Sequence, residues 1–207
     1  MHNQFYIRSA YFLFTLFFPS KVYDKENFPQ GKALIVANHY SAIDPAFMYR
    51  FVKRDLFFLC KKEAMEKKVA KKLLAEAGAI PIDRQTNDMR AMMNAMKVLK
   101  EGKKLVIFPE GTRNKTGEEL QELKGGAGVF AVKTKSPVVP VMFLKKPRIF
   151  RRTFYIVGKP FELDEFYDKK LVKEDYDKID SIIREKMLKT REKLKEYRRK
   201  KGKKCKS

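Results

Sequence analysis

A chain of 207 residues is long enough to bury a core without disulfides or structural metal, and nothing in it calls for a second domain. Its two cysteines sit in unlike surroundings, Cys60 ending an apolar run and Cys205 in a Lys-rich tail, which argues against a bridge or a metal cluster. Lys and Arg outnumber Asp and Glu by 47 to 25, and the resulting net charge of +22 exceeds what solubility requires, so a polyanionic partner is expected.

The first predicted element is the run from Phe5 to Phe18, dense in Phe, Tyr, Leu and Ile, interrupted by Arg8 and Ser9 and closed by Pro19. It is too short to span a bilayer comfortably and lacks the small-residue cleavage site of a signal peptide. An interfacial helix with aromatics at headgroup level fits it, and a first core helix or strand is the competing reading. Residues 1–20 are accordingly expected to lie at a membrane interface, 21–197 to form the folded domain and 198–207 a basic tail.

Short apolar runs then alternate with helical patterns, which predicts an α/β fold: one domain around a central mixed, mostly parallel sheet flanked by helices. The expected strands are Ala33–Ala37, Leu56–Cys60, Ala79–Ile82, Leu105–Phe108, Val138–Phe143 and Thr153–Val157. Met65, Val69 and Leu73 recur at helical spacing, and Met89, Met92, Met93, Met96 and Leu99 mark one face of another helix, with the methionines expected as core filler. The last helix carries an apolar stripe, Tyr176, Ile179, Ile183 and Met187, that fades into charge, so it is expected to outrun the core. Residues 184–207 hold thirteen Lys or Arg against three Glu.

Two polar clusters follow strand ends, where open α/β sheets bind ligands. The first is Asn38, His39, Tyr40, Ser41 and Asp44-Pro45. Asp44 before Pro45 reads as a helix N-cap, and equally as a carboxylate able to turn back on His39. A neutral imidazole with one nitrogen donating to a carboxylate has its tautomer fixed and its other nitrogen free to accept a proton. Ser41 is the weaker candidate for a nucleophile because no G-x-S-x-G turn surrounds it. The second cluster, Pro109 to Arg113, offers a guanidinium fork for phosphate in Arg113 and close backbone approach at Gly111. Lys124, Gly125, Gly126 and Gly128 open a small-residue helix that reads as a weak anion site, and Arg84 adds a guanidinium just beyond another strand.

Asn38-His39-x4-Asp44, Ile82-Asp83-Arg84, Phe108-Pro109-Glu110-Gly111-Thr112-Arg113 and Val139-Pro140-Val141 resemble, in order, the four motif blocks of the glycerolipid acyltransferases, most of all those acting on lysophosphatidic acid. The resemblance spans residues 38–141. It implies His39 as general base and Asp44 as its orienter, with Arg84, Glu110, Gly111, Thr112, Arg113 and Lys124 on the acceptor. Within that group the arginines would hold phosphate and Glu110 a glycerol hydroxyl. Val139, Pro140 and Val141 would lie near the acyl path, though they suit a core equally well.

The implied reaction moves an acyl group from acyl-CoA or acyl-carrier protein to the sn-2 hydroxyl of 1-acylglycerol 3-phosphate, with no metal or cofactor. Glycerol 3-phosphate or another lysophospholipid is the alternative acceptor. The implied setting is the cytoplasmic face of a bacterial membrane, peripheral or monotopic, on an anionic surface. Where the family carries two N-terminal helices, this sequence offers one apolar segment. A basic nucleic-acid-binding protein is the rival from another class, but no zinc-finger spacing or RNP signature supports it.

Overall fold

A computed structural model describes residues 4–52, 55–83, 85, 86 and 88–204. Arg84 and Cys205 lie outside them. Among the described residues seven strands form one sheet: β1 (Ser20–Tyr23), β2 (Ala33–Ala37), β3 (Leu56–Lys61), β4 (Ala79–Ile82), β5 (Lys104–Ile107), β6 (Val138–Phe143) and β7 (Thr153–Val157). Their order is β1-β7-β6-β2-β5-β3-β4. Only β6 and β7 pair antiparallel, so the sheet is mixed and mostly parallel, as expected.

Strand β2 shows why the apolar runs were continuous. It is central, pairing Ile35 with Val106 of β5 on one side and with Val139 of β6 on the other. Leu34 and Val36 enter one core and Ala33, Ile35 and Ala37 the other, so neither face of the strand meets water. Each such Leu, Ile or Val contributes roughly 1.5–3 kcal/mol of burial free energy. By contrast β1 is a short edge strand of exposed and half-buried residues, without the alternation that would have announced it.

Helices α1 (Gln4–Phe17), α2 (Asp44–Val52) and α3 (Lys68–Glu76) cover one face, supplying Phe14, Phe47, Met48 and Leu74 to its core. On the other lie α4 (Met89–Lys100), α5 (Ala127–Thr134) and α6 (Lys173–Lys204). Three expectations need correction, for α4, for α3 and for the reach of α6 along the core. The buried side of α4 is Ala91, Ala95, Val98 and Leu99, while Met89 and Met93 are exposed and only Met92 and Met96 pack against the core. Small residues let α4 sit close, and the longer methionines fall to the side. Likewise Met65 ends a 3-10 turn, and Val69 and Leu73 of α3 face solvent while Leu74 packs inward.

Helix α6 stays on the core well past Met187. Leu194 is fully buried, Tyr197 stacks on Tyr23 at 5.2 Å, and the Arg198 guanidinium lies 3.7 Å over the Phe154 ring. Arg191, counted from sequence only among the thirteen basic residues of 184–207, is buried and donates to the carbonyls of Phe143 (2.6 Å) and Leu144 (3.1 Å) at the end of β6. A planar fork satisfies two main-chain acceptors there that the strand itself leaves open. Gly128 of α5 permits the contact with α6, since a Cβ there would overlap Ile179 Cγ2. Its smallness therefore serves helix packing.

Candidate active site

Helix α2 leaves β2 over one face and leads to β3, whereas α5 leads from β5 over the opposite face to β6. The carboxyl ends of β2 and β5, neighbours in the sheet, therefore flank a crevice at a topological switch point, and both polar clusters open there.

His39 Nδ1 stands 3.0 Å from Asp44 Oδ2. The same oxygen accepts from the N–H groups of Tyr40 (2.7 Å) and Ser41 (2.8 Å). Helix α2 begins at Asp44 itself, and the carboxylate turns upstream, so it braces the loop carrying His39 in addition to orienting the imidazole. Its other oxygen, Oδ1, is buried with no hydrogen-bond partner. The imidazole stacks on Phe108 at 4.0 Å and 23°, which limits ring rotation, and its side chain keeps 14% exposure. With Nδ1 donating to Asp44, Nε2 carries the free lone pair.

Glu110 ties the two clusters together. It is 1% exposed, and Oε1 accepts from the His39 N–H at 2.7 Å. Oε2 accepts from Asn114 Nδ2 (3.2 Å) and the Gln121 N–H (2.9 Å). Asn114 completes the latch, donating its own N–H to the His39 carbonyl at 2.6 Å. Asn38, also buried, spans to β6 with its amide, donating to the Phe143 carbonyl (3.0 Å) and accepting the Phe143 N–H (2.8 Å).

Thr112 and Arg113 are exposed on the same loop, and no hydrogen bond or ion pair engages the Arg113 side chain among the described residues. Gly111 has φ +67°, and a Cβ there would stand 2.8 Å from Lys124 Cδ, so the chain folds Lys124 onto this loop. Backbone joins them as well, the Lys124 N–H donating to the Pro109 carbonyl at 2.9 Å. Val139, Pro140 and Val141 are buried within β6, the two valines among the core side chains around Ile35 and Phe47. Among the described residues, no three His, Cys, Asp or Glu side chains are grouped to hold a metal ion.

An acyltransferase family model matches residues 19–144. The chain belongs to the acyltransferase family. It is 31% identical over 154 residues to the 1-acyl-sn-glycerol-3-phosphate acyltransferase of Helicobacter pylori (strain J99), covering 72% of this chain and 62% of that protein. To the Bacillus subtilis (strain 168) protein of the same name it is 30% identical over 154 residues, covering 70% of this chain and 75% of the relative. The fold matches the crystal structure of the 1-acyl-sn-glycerophosphate acyltransferase PlsC from Thermotoga maritima, with TM-score 0.66 and 23% identity over 92% of this chain and 76% of that one.

Within this acyltransferase, sequence reasoning overlooked Phe108 under the imidazole and the latch formed by Asn114 and Gln121. Phe108, an aromatic at the end of an apolar run, carries no local sign of it. Asn114, four residues past Glu110, carried a faint signal as a polar residue in the same turn. Asp180 of α6, whose Oδ2 stands 3.4 Å from the position of a Cβ on Gly125, is one shifted titratable group beside these loops. Burial, then the Asp177 carboxylate one turn earlier, raises its carboxyl above the ordinary range. A raised acid favours the protonated folded state, so its charge costs stability at neutral pH, and that cost vanishes as pH falls through the raised value. Asp180→Asn should therefore melt at a higher temperature than the parent at neutral pH. The advantage should disappear in acid, and an equal shift at both pH values would refute the cause.

Proposed function

We propose that the protein transfers an acyl group from acyl-CoA or acyl-carrier protein to the sn-2 hydroxyl of 1-acylglycerol 3-phosphate, producing phosphatidic acid. The observation that carries this is His39 held by Asp44 at 3.0 Å with Nε2 left free, in a chain of the acyltransferase family. Nε2 takes the hydroxyl proton as the acceptor oxygen attacks the thioester carbonyl carbon. The tetrahedral species collapses with cleavage of the C–S bond, and the proton passes from the imidazolium to the departing thiolate. Asp44, which never leaves the imidazole, stabilises its positive charge during the transfer. Arg113, exposed and without a side-chain partner among the described residues, and Lys124, folded onto Gly111 of the same loop, serve the acceptor phosphate, together with Arg84.

We assign the reaction to the cytoplasmic face of the membrane, with the protein peripheral or monotopic. Among the described residues no helix is long and apolar enough to cross a membrane, yet α1 exposes Phe12, Leu13, Leu16 and Phe17. Exposed apolar residues on a short helix suit an interfacial position.

The test is transfer of label from acyl-CoA and from acyl-carrier protein to a panel of glycerol 3-phosphate, 1-acylglycerol 3-phosphate and phosphate-free monoacylglycerol. Preference for 1-acylglycerol 3-phosphate is expected, and faster labelling of glycerol 3-phosphate would move the assignment. Arg113→Lys keeps the charge and loses the bidentate fork. It should lower kcat/KM for the phosphate-bearing acceptor by about tenfold, the worth of one charge-assisted hydrogen bond of about 1.5 kcal/mol, while sparing hydrolysis of acyl-CoA by water. An equal loss toward acceptors with and without phosphate would remove Arg113 from the phosphate site.

A further inference from the structure

We propose that the connection between β6 and β7 is a foot that docks on an anionic phospholipid bilayer, its basic cradle taking headgroup phosphates while Ile149, Phe150 and the outer side of α1 enter the interface. This rests on the peripheral placement above and assigns it a surface outside all four motif blocks.

The cradle is a cavity of about 340 Å³ whose lining includes Lys145, Lys146, Arg148, Arg151, Arg152 and Arg198 and no carboxylate. Among the described residues, the first five make no ion pair or side-chain hydrogen bond, although elsewhere this protein pairs many of its cations. Like charges gathered without acids are costly unless an anion spreads among them, and a bilayer rich in anionic headgroups supplies many at once.

Apolar residues occupy the tip. Arg148 and Arg151 bridge antiparallel across a two-residue turn of Ile149 and Phe150, which are 58% and 73% exposed. Phe150 holds φ +57°, a backbone state unfavourable to a bulky side chain, and it is kept there by donating its N–H to the Phe17 carbonyl at 2.7 Å. The Phe150 ring meets that of Phe17 at 5.5 Å, so the tip continues the exposed side of α1. Apolar groups ringed by cations are the pattern of an interfacial anchor.

Topology places this foot beside the chemistry. The connection leaves β6 at Phe143, the residue to which Asn38 binds, so it departs from the sheet edge that carries His39. Helix α1 reaches the same edge, since Ser20 of β1 pairs with Thr153, the first residue of β7.

The experiment is flotation of the full-length protein with vesicles of phosphatidylcholine alone and of phosphatidylcholine with phosphatidylglycerol in equal parts. The triple variant Arg148→Gln/Arg151→Gln/Arg152→Gln should lose about fivefold in partition to the mixed vesicles for each charge, roughly 100-fold in all, and little to the neutral ones. Phe150→Asn should lose roughly tenfold on both while melting no lower than the parent, because Asn accepts this backbone state. Parent-like partition of both variants would overturn the foot and leave the peripheral reading standing. Failure of the parent to bind either vesicle would overturn both. Tighter binding of a single-stranded polynucleotide than of mixed vesicles, lost in the triple variant, would reassign the cradle to nucleic acid. His39→Ala should partition like the parent, so docking and acyl transfer are read separately.

Discussion

His39→Ala is expected to lower acyl transfer by roughly 10²- to 10⁴-fold, the usual contribution of a positioned base, while leaving the fold in place. The fold should survive because the latches to this residue are main-chain: its N–H to Glu110 and its carbonyl to Asn114 do not depend on the side chain. Asp44→Asn separates orientation from bracing. An amide oxygen can still accept from Tyr40 and Ser41, but the NH₂ then takes the place of Oδ1, which is buried without a partner, at a cost of about 1–3 kcal/mol. With the amide turned the other way, its NH₂ faces those two N–H groups and drives the imidazole proton onto Nε2, leaving no base. Either way the negative charge facing the imidazolium is gone. We expect a modest fall in melting temperature with a fall in kcat of roughly 10²-fold or more. A variant that melts slightly lower yet transfers acyl groups at the parent rate would reduce Asp44 to a loop brace.

Glu110→Ala is expected to cost roughly 3–5 kcal/mol, because it strands the His39 N–H, the Asn114 amide and the Gln121 N–H in a site only 1% exposed. Such a loss is a large part of the 5–15 kcal/mol that holds a domain together, so denaturant midpoints should move visibly. Activity should fall with it through misplacement of His39. Glu110→Gln should be intermediate, since its oxygen can keep one set of contacts while its NH₂ opposes the donors on the other side. A contact to the acceptor's glycerol hydroxyl, as the family resemblance implies, predicts something different: an unchanged denaturation midpoint with a raised acceptor KM. Chemical denaturation and acceptor titration on the same two variants decide between the roles.

The central strands could be read in the sequence because a strand buried on both faces needs apolar residues at every position, and Ala33–Ala37 and Val138–Phe143 supply them. The polar loops could be read too, since His, Asp, Glu and Arg have no reason to crowd strand ends without a task or a partner. Local pattern was insufficient where a residue's fate depended on a distant neighbour. Met93 and Val69 obey helical spacing, but where α3 and α4 meet the sheet decides which side is buried. Arg191 looked like its neighbours in a basic helix until 48 residues of separation closed on the Phe143 carbonyl.

The motifs fixed which groups are available, because proton affinity, charge and hydrogen-bonding capacity belong to the side chain itself. Tertiary structure decided what those groups do for one another. Glu110 meets the amide of His39 across 71 residues because β5 happens to lie beside β2, and no spacing along the chain encodes that neighbour. Asp44 is the opposite case, where a turn of five residues suffices and loop brace and orienter prove to be one oxygen, while the helix cap that its place before Pro45 suggested is not formed by its side chain. Hydrogen bonds act over about 3 Å, so within a turn the sequence sets the partner, and beyond it only strand order can.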